Sequence, residues 1–355
     1  MLLWLTQGKV ALKTALADRS DPGTATLPLR EEVIAAIRAA QRTSRPVYLA
    51  SASDRRYVER LAVRVGGIEG VFGTDASVNL KGRAKAQRLV AEFGAGRFDY
   101  MGGASADFPV WQEARKVLAL IQNRGLEKRL LKTFPSAEIV ARQNWRTSDY
   151  LRMLRPHQWV KNILVFLPMI AGHQFNAPTI FASLIAFICF CMASSSAYLI
   201  NDLLDLPGDR DHPRKRLRPF AAGDIPLRHG IFAAGPLLVS SFALAVTLPQ
   251  RFVAMLALYY CTSLAYSFVL KRKVMIDVVV LGGLYTLRVL GGVAASGAVQ
   301  SPWLLMFCLF LFLSLAILKR CSELTANIAA GERFWAVNVE GTRRARVVRL
   351  HDLGA

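Results

Sequence analysis

Acidic residues are scarce relative to basic ones: 25 Asp and Glu against 45 Lys and Arg over 355 residues, a formal net charge of +20. An excess of that sign suits nucleic acid or an anionic membrane surface. No nucleic-acid recognition motif accompanies it and the basic residues gather beside apolar runs, so membrane orientation accounts for it and no nucleic-acid partner is expected. Cysteine is scarce too. Cys189, Cys191, Cys261 and Cys308 lie inside apolar runs and Cys321 just beyond one, without metal-ligand spacing, so the five read as small apolar residues. The opening MLLWLTQGKVALK has too short an apolar stretch and no small-residue cleavage site, so no signal peptide is expected.

What the chain does have is apolar length. It is 53% hydrophobic with a mean hydropathy of +0.30, too apolar for an average soluble protein and too charged for membrane throughout. Up to about residue 155 charged and apolar residues mix as in a soluble domain. From about 159 to 318 long apolar runs dominate. Stretches approaching the about 20 helical residues that cross a bilayer fall at 160–176, 179–201, 230–249, 252–270, 274–297 and 302–318, and six spans are expected.

Basic residues orient those spans. Arg152, Arg155 and Lys161 precede the first; Arg210, Arg214, Lys215, Arg216, Arg218 and Arg228 follow the second; Lys271, Arg272 and Lys273 follow the fourth; Lys319 and Arg320 follow the sixth. Apart from Arg251, the opposite loops hold almost none. The alternation expects a multi-pass protein of a bacterial plasma (inner) membrane, with both termini and the loops after spans two and four cytoplasmic. Ahead of the membrane part, helical patterns at 30–40 and 55–66 alternate with a strand at 45–53, then a helix around AKAQRLVAEFG leads to a strand at RFDYMGGASAD. Such alternation points to an α/β parallel sheet.

The chemistry concentrates where the second span ends, in SSSAYLINDLLDLPGDRDHPRKRLRPFAAGD. Asp202 and Asp205 are spaced to share a helix face, with Asn201 beside them at the membrane boundary. Pro207 and Gly208 then break the helix, leaving Asp209 and Asp211 on a loop. Carboxylates at the end of an apolar span are costly unless they pair or bind cations, and their oxygens suit Mg²⁺, which bridges to substrate phosphates. Arg214, Lys215, Arg216 and Arg218 next to them would neutralise phosphate oxygens. Acid for metal beside base for phosphate is the composition of a diphosphate site. The next cytoplasmic loop repeats it in YSFVLKRKVMID: Tyr266 and Lys271 precede Asp277, and Arg288 lies three helical turns further on roughly the same face, so both are expected to face a cavity.

The segments RPHQWVKNILVFLP, NDLLDLPGDRDHPRKRLRPFAAGDIP and YSFVLKRKVMIDVVVLGGLYTLRVLGG resemble the UbiA-type intramembrane prenyltransferase superfamily over about half the chain. The resemblance implies an all-α helix bundle of usually nine spans, about six present here, with a central cavity open to the cytoplasm and Mg²⁺ bridging aspartates to a diphosphate. Asn201, Asp202, Asp205 and Asp209 match the first motif and Asp277 starts the second. The second aspartate of a DxxxD form is absent, since position 281 is Leu. With the DxxHPxKxxRPxAAG continuation this looks more like the branch moving phosphoribose from phosphoribosyl diphosphate onto polyprenyl phosphate than the branch prenylating aromatic acids. Implied partners are a polyprenyl lipid, a diphosphate donor and membrane lipid. Asp202, Asp205, Asp209 and Asp277 would serve as metal-binding catalytic groups, and Asn201, Lys161, Arg214, Lys215, Arg218, Tyr266, Lys271 and Arg288 as substrate contacts. Both chemistries use metal and Arg/Lys to stabilise departing diphosphate while the bundle holds the isoprenoid.

The front part resembles a haloacid-dehalogenase-like α/β domain. There Ser51 of LASAS would bind phosphate, Lys81 or Lys85 would neutralise it, and Asp107 would belong to the acidic loop. The nucleophilic DxDxT strand is missing and Gly103 stands where the family carries Asp, so an incomplete domain without hydrolysis is expected. The expected organisation is an α/β domain at 1–145, a transmembrane domain at 146–325, and a basic, irregular tail at 326–355 where about three more helices would be expected. The alternatives are an inactive membrane remnant that binds lipid phosphates, and a membrane-anchored phosphatase-like domain.

Overall fold

The computed structural model describes residues 26–75, 78–143, 145–270, 274–298 and 302–329. The chain divides into two compact units, Met1–Tyr150 with Asp205–Ile225, and Leu151–Leu204 with Pro226–Ala355.

In the first unit, helices α1 (Glu31–Arg42), α2 (Arg55–Val65), α3 (Arg83–Phe93), α4 (Phe108–Glu113) and α5 (Arg124–Thr133) alternate with strands β1 (Tyr48–Asp54), β2 (Gly70–Thr74), β3 (Asp99–Gly102), β4 (Lys116–Ile121) and β5 (Glu138–Arg142). Their starts follow local chemistry. Glu31 and Glu32 favour the positive end of the α1 dipole; the Asp54 carboxylate accepts from the Arg56 amide at 3.0 Å, and Asn123 from Leu126 at 2.8 Å, capping α2 and α5. All strand pairs are parallel, as alternation predicts. They form two sheets rather than one, β1-β2 and β3-β4-β5. Among the described residues no ladder joins them. What lies between is aromatic packing: Phe93 on α3 stands 4.9 Å from Tyr48, 5.8 Å from Phe72 and 6.2 Å from Phe98, ring to ring. The core beneath holds Val110, Trp111, Ala119, Leu126 and Leu130, all buried, each large side chain contributing about 2 kcal/mol through burial.

The segment 205–225, in the same unit, departs from expectation. Pro207 and Gly208 do not leave Asp209 and Asp211 on a loop, because Asp205 heads a short helix α6 (Leu206–Asp211). Proline is tolerated in a first turn, where its missing N–H has no partner to lose. A 3₁₀ turn at Lys215–Leu217 and a single turn at Pro219–Ala222 follow, closed by Gly223 at φ +80°.

In the second unit the first expected span, 160–176, is not one helix. Pro156–Phe166 winds as a 3₁₀ segment and Leu167–Ala171 as a short α-helix, with Arg155 and His173 at positive φ on either side. Pro168 has no N–H to donate to the Leu164 carbonyl, a bond that a continuous α-helix over 160–176 would need. Long helices follow: α7 (Ala177–Leu204), α8 (Leu227–Ala245), α9 (Gln250–Phe268), α10 (Val274–Ser296) and α11 (Pro302–Ala329). Among the described residues three are long and apolar enough to cross a membrane, Ala177–Leu204, Leu227–Ala245 and Ile276–Ser296, with a shorter apolar helix at Pro302–Leu318. Six spans were expected. Helix α9 falls short in composition, since Gln250, Arg251 and three tyrosines dilute it. The proposed tail from 326 begins inside α11; from 330 on it lies outside the described residues.

Helix α7 is the hub, packing against α8, α9, α10 and the 3₁₀ segment. Its serines stitch the bundle: Ser196 donates to the Ala234 carbonyl at 2.8 Å and lies 3.1 Å from the Tyr260 hydroxyl, and Ser241 of α8 donates to the Cys189 carbonyl at 2.8 Å. Hydroxyls that hydrogen-bond across helices suit a lipid environment. On the outside of α8, Ile231, Phe232 and Val239 are exposed, as a lipid-facing surface would be. Gly291 and Gly292 bring α10 close: a Cβ on Gly291 would stand 2.6 Å from the Phe190 ring, and one on Gly292 2.1 Å from the Val165 carbonyl oxygen.

Candidate functional site

Helix α7 carries Asp202 to its cytoplasm-predicted end. Only 4% exposed, this carboxylate pairs with the Arg155 guanidinium, which also lies 5.5 Å above the Tyr198 ring. Arg155 is held where its backbone turns at φ +55°, just before the 3₁₀ segment. That segment is fastened to α7 by Trp159 donating to Ser195 at 3.0 Å and by Asn162 donating to Ser194 at 3.2 Å, and just ahead of it Ser195 donates to the Leu154 carbonyl at 2.9 Å. Asn201 is half-buried beside Asp202.

Deeper in the bundle Arg288 of α10, 4% exposed, donates to the Asn162 side-chain oxygen at 2.8 Å, to the Tyr259 hydroxyl at 2.9 Å and to the Leu284 carbonyl at 2.7 Å. Its guanidinium stands 5.5 Å from the Tyr285 ring, and the Lys161 ammonium 5.9 Å from the same ring. Asp277, 9% exposed, accepts from the Tyr266 hydroxyl at 2.6 Å. Asp277 and Arg288, three turns apart on α10, have different hydrogen-bond partners. Lys271 lies outside the described residues.

In the first unit Asp209 is 3% exposed and pairs with Arg218, while Asp205 is half-buried. Arg214 and Lys215 are exposed, their amides donating to His212 Nδ1 at 3.2 and 3.4 Å. Burial lowers the pKa of Arg210 from its ordinary value. Of the front residues, the structure brings Lys85 and Asp107 together at 2.8 Å, with the Tyr100 hydroxyl donating to Asp107 at 3.0 Å and the Gly103 and Ala104 amides at 3.1 and 3.0 Å. Ser51 accepts from the Ser53 amide at 3.1 Å, and Lys81 is exposed.

Sequence reading missed Arg155, Asn162 and Tyr259 as site residues. Arg155 entered only as a basic count, although the RPHQWVKN string that carries it was part of the resemblance; nothing in the string marks Asn162 or Tyr259 as partners of Arg288.

Carboxylate oxygens are the hard donors that suit Mg²⁺, an ion that usually takes one or two protein carboxylates plus phosphate oxygens; the second unit offers Asp202 and Asp277, the first Asp205 and Asp209. Among the described residues no three His, Cys, Asp or Glu side chains converge on one point.

The buried Arg155–Asp202 pair, in a bundle whose helices include three long and apolar enough to cross a membrane, defines a polytopic membrane protein that holds charged groups at its apolar part. The profile of the UbiA prenyltransferase family matches residues 163–351, more than half of the chain, and the chain belongs to that family. It is 36% identical over 321 residues to uncharacterized protein y4nM of Sinorhizobium fredii, covering 89% of this chain and 62% of that protein. Over 182 residues it is 36% identical to decaprenyl-phosphate phosphoribosyltransferase of Mycolicibacterium smegmatis, covering 50% of this chain and 57% of that protein. The chain therefore spans less than two thirds of the length of these relatives. A structure of a UbiA homolog from Archaeoglobus fulgidus bound to DMAPP and Mg²⁺ aligns at a TM-score of 0.45 with 21% identity, over 52% of this chain and 66% of that one.

Proposed function

We propose that the chain is a Mg²⁺-dependent transferase acting on a polyprenyl substrate and a diphosphate donor, in the form that joins phosphoribose from phosphoribosyl diphosphate to polyprenyl phosphate. Family membership supports a transferase, and the likeness to decaprenyl-phosphate phosphoribosyltransferase, with Leu281 where a second aspartate would stand, supports this pair over a prenyl diphosphate with an aromatic acid. The observation that carries the reading is Asp202, a buried carboxylate at the end of an apolar helix, held against an arginine.

In this proposal Asp202, Asp205, Asp209 and Asp277 hold the metal, which neutralises the diphosphate as it leaves. Arg214, Lys215, Arg218 and Lys271 bind phosphate oxygens, Asn201 and Tyr266 orient the neighbouring carboxylates, and the bundle carries the isoprenoid. The site opens to the cytoplasm of a bacterial inner membrane, as the basic loops direct. The front part is proposed to be haloacid-dehalogenase-like and without hydrolytic activity, because these 355 residues hold no DxDxT nucleophile.

Purified chain in lipid, given labelled phosphoribosyl diphosphate, Mg²⁺ and polyprenyl phosphate, should yield a lipid-soluble product. Asp202→Ala should reduce it by a factor of 10² or more, the scale on which lost electrostatic stabilisation of a leaving group acts. Lipid product formed equally by Asp202→Ala would overturn the proposal, as would no product from the wild type.

A further inference from the structure

Each acid-facing arginine described above, Arg155 and Arg218, has a carboxylate for its charge. Arg288 does not. Among the described residues all its hydrogen bonds go to neutral acceptors: the Asn162 amide oxygen, the Tyr259 hydroxyl and the Leu284 carbonyl. A guanidinium has five N–H donors, so these three acceptors fix its orientation and leave donors to spare. A cation that is 4% exposed within an apolar helix is costly without an opposite charge. Lys161 adds a second cation at the Tyr285 ring, whose other neighbour is Phe312, stacked at 5.0 Å.

We infer that Arg288 and Lys161, arranged around Tyr285, form an anion site apart from the aspartates, and that its ligand is the phosphate monoester head of an isoprenoid lipid. This rests on the proposal that the substrate is polyprenyl. Two cations match the up to two negative charges of a phosphate monoester. Depth selects the lipid. Arg288 lies eleven residues beyond Asp277 on α10, about 16 Å along the helix axis at about 1.5 Å per residue, and its surroundings, Phe190, Tyr259, Val289 and Phe312, are aromatic or apolar and buried. Any phosphate must shed its water to reach that depth; one carried by an isoprenoid chain offsets the cost by burying apolar surface in the bundle, which a free phosphate cannot do. Asn162 and Tyr259 are positioning residues: they aim the guanidinium and carry no charge themselves.

The test is binding of farnesyl phosphate to the full chain in nanodiscs with EDTA present, beside farnesol and inorganic phosphate. Farnesyl phosphate should bind without metal. Arg288→Gln should weaken it at least tenfold and Lys161→Gln at least threefold, Asp202→Asn should leave it within twofold, and farnesol affinity should be the same in all four proteins. Should Arg288→Gln fail to fold, the half-buried Lys161→Gln decides, and unchanged affinity there overturns the inference. Binding that EDTA or Asp202→Asn abolishes would place the phosphate on the aspartates and overturn it as well. So would competition by inorganic phosphate at the concentration where farnesyl phosphate itself binds, which marks a free-phosphate site. Because neither metal nor turnover enters, failure of the transfer assay and failure of this one are distinguishable.

Discussion

Asp107 takes four donors on two oxygens: Lys85, Tyr100 and the amides of Gly103 and Ala104. Burial works to raise its pKa, but the hydrogen bond and charge of Lys85, with the amide and phenol bonds, outweigh burial and hold it below the usual carboxylate value. The same burial, with the Asp107 charge, pushes the Tyr100 phenol up, so it remains a donor across the ordinary pH range. A carboxylate whose folded pKa is depressed stabilises fully above its unfolded value of about 3.9, and that contribution is lost as pH falls through the folded value. Hydrogen exchange in Val117–Ile121, corrected for intrinsic rates, should therefore be steady from pH 7 to 5 and accelerate below about pH 4. Asp107→Asn should accelerate less there than the wild type, Asp54 and Asp99 being lowered too, by Arg56 and Arg115 respectively. Lys85→Met strands the carboxylate and should cost on the order of 3 kcal/mol, with partial recovery in Lys85→Met/Asp107→Asn. No change in Lys85→Met would refute this account. At this scale acids and bases were legible and their partners were not. Asp202, Asp277 and Arg288 stand out because ionisable groups are rare in apolar runs, but Arg155 and Asn162 reach them from 47 and 126 positions away, and no local pattern encodes such a distance.

Helix α10 meets the 3₁₀ segment closely because Gly292 removes the intervening atoms, while Gly291 does the same against Phe190 of α7. A methyl on Gly292 would overlap the Val165 carbonyl at 2.1 Å, a backbone atom that cannot rotate away, whereas a methyl on Gly283 of the same helix meets nothing within 4 Å. Gly292→Ala should push the segment off α10, and with it Asn162 off Arg288, costing about 1–3 kcal/mol by overpacking. Gly283→Ala should be neutral or stabilising by up to about 1 kcal/mol through helix propensity. Thermal unfolding in detergent separates the two; equal melting temperatures would show that the contact does not hold the segment. Nothing local in the sequence separates Gly291 and Gly292, which are places of close approach, from Gly283, which is not. The long helices were legible because apolar length alone signals them. What misled was the 160–176 stretch, where composition favoured a span while Pro168 interrupts the α-helical ladder, and the 205–211 stretch, where a proline read as a breaker sits in a first turn that accepts it.

For the whole molecule, charge asymmetry is the strongest organising signal, and it makes the sidedness of α8 testable. Before this helix stand Arg210, Arg214, Lys215, Arg216 and Arg218; after it the chain passes through Val246, Thr247, Leu248 and Pro249 with no charge before Arg251. Leu227–Ala245 is one of the three crossing candidates and only 17% of its apolar window is buried within the protein, which suits an outer face in lipid; a crossing predicts that its two ends lie on opposite sides. Lys and Arg near a span are retained on the cytoplasmic side, which puts Arg216 inside and Thr247 outside. Both positions are exposed. In a chain whose exposed Cys261 and Cys321 are replaced by Ser, Thr247→Cys should react with a membrane-impermeant maleimide in intact bacterial cells. Arg216→Cys should react only once the membrane is opened. Labelling of both from the same side would mean that α8 does not cross, and would remove the basis for a cytoplasmic aspartate site; labelling in the reverse pattern would keep the crossing but turn the site outward, away from any cytoplasmic diphosphate donor.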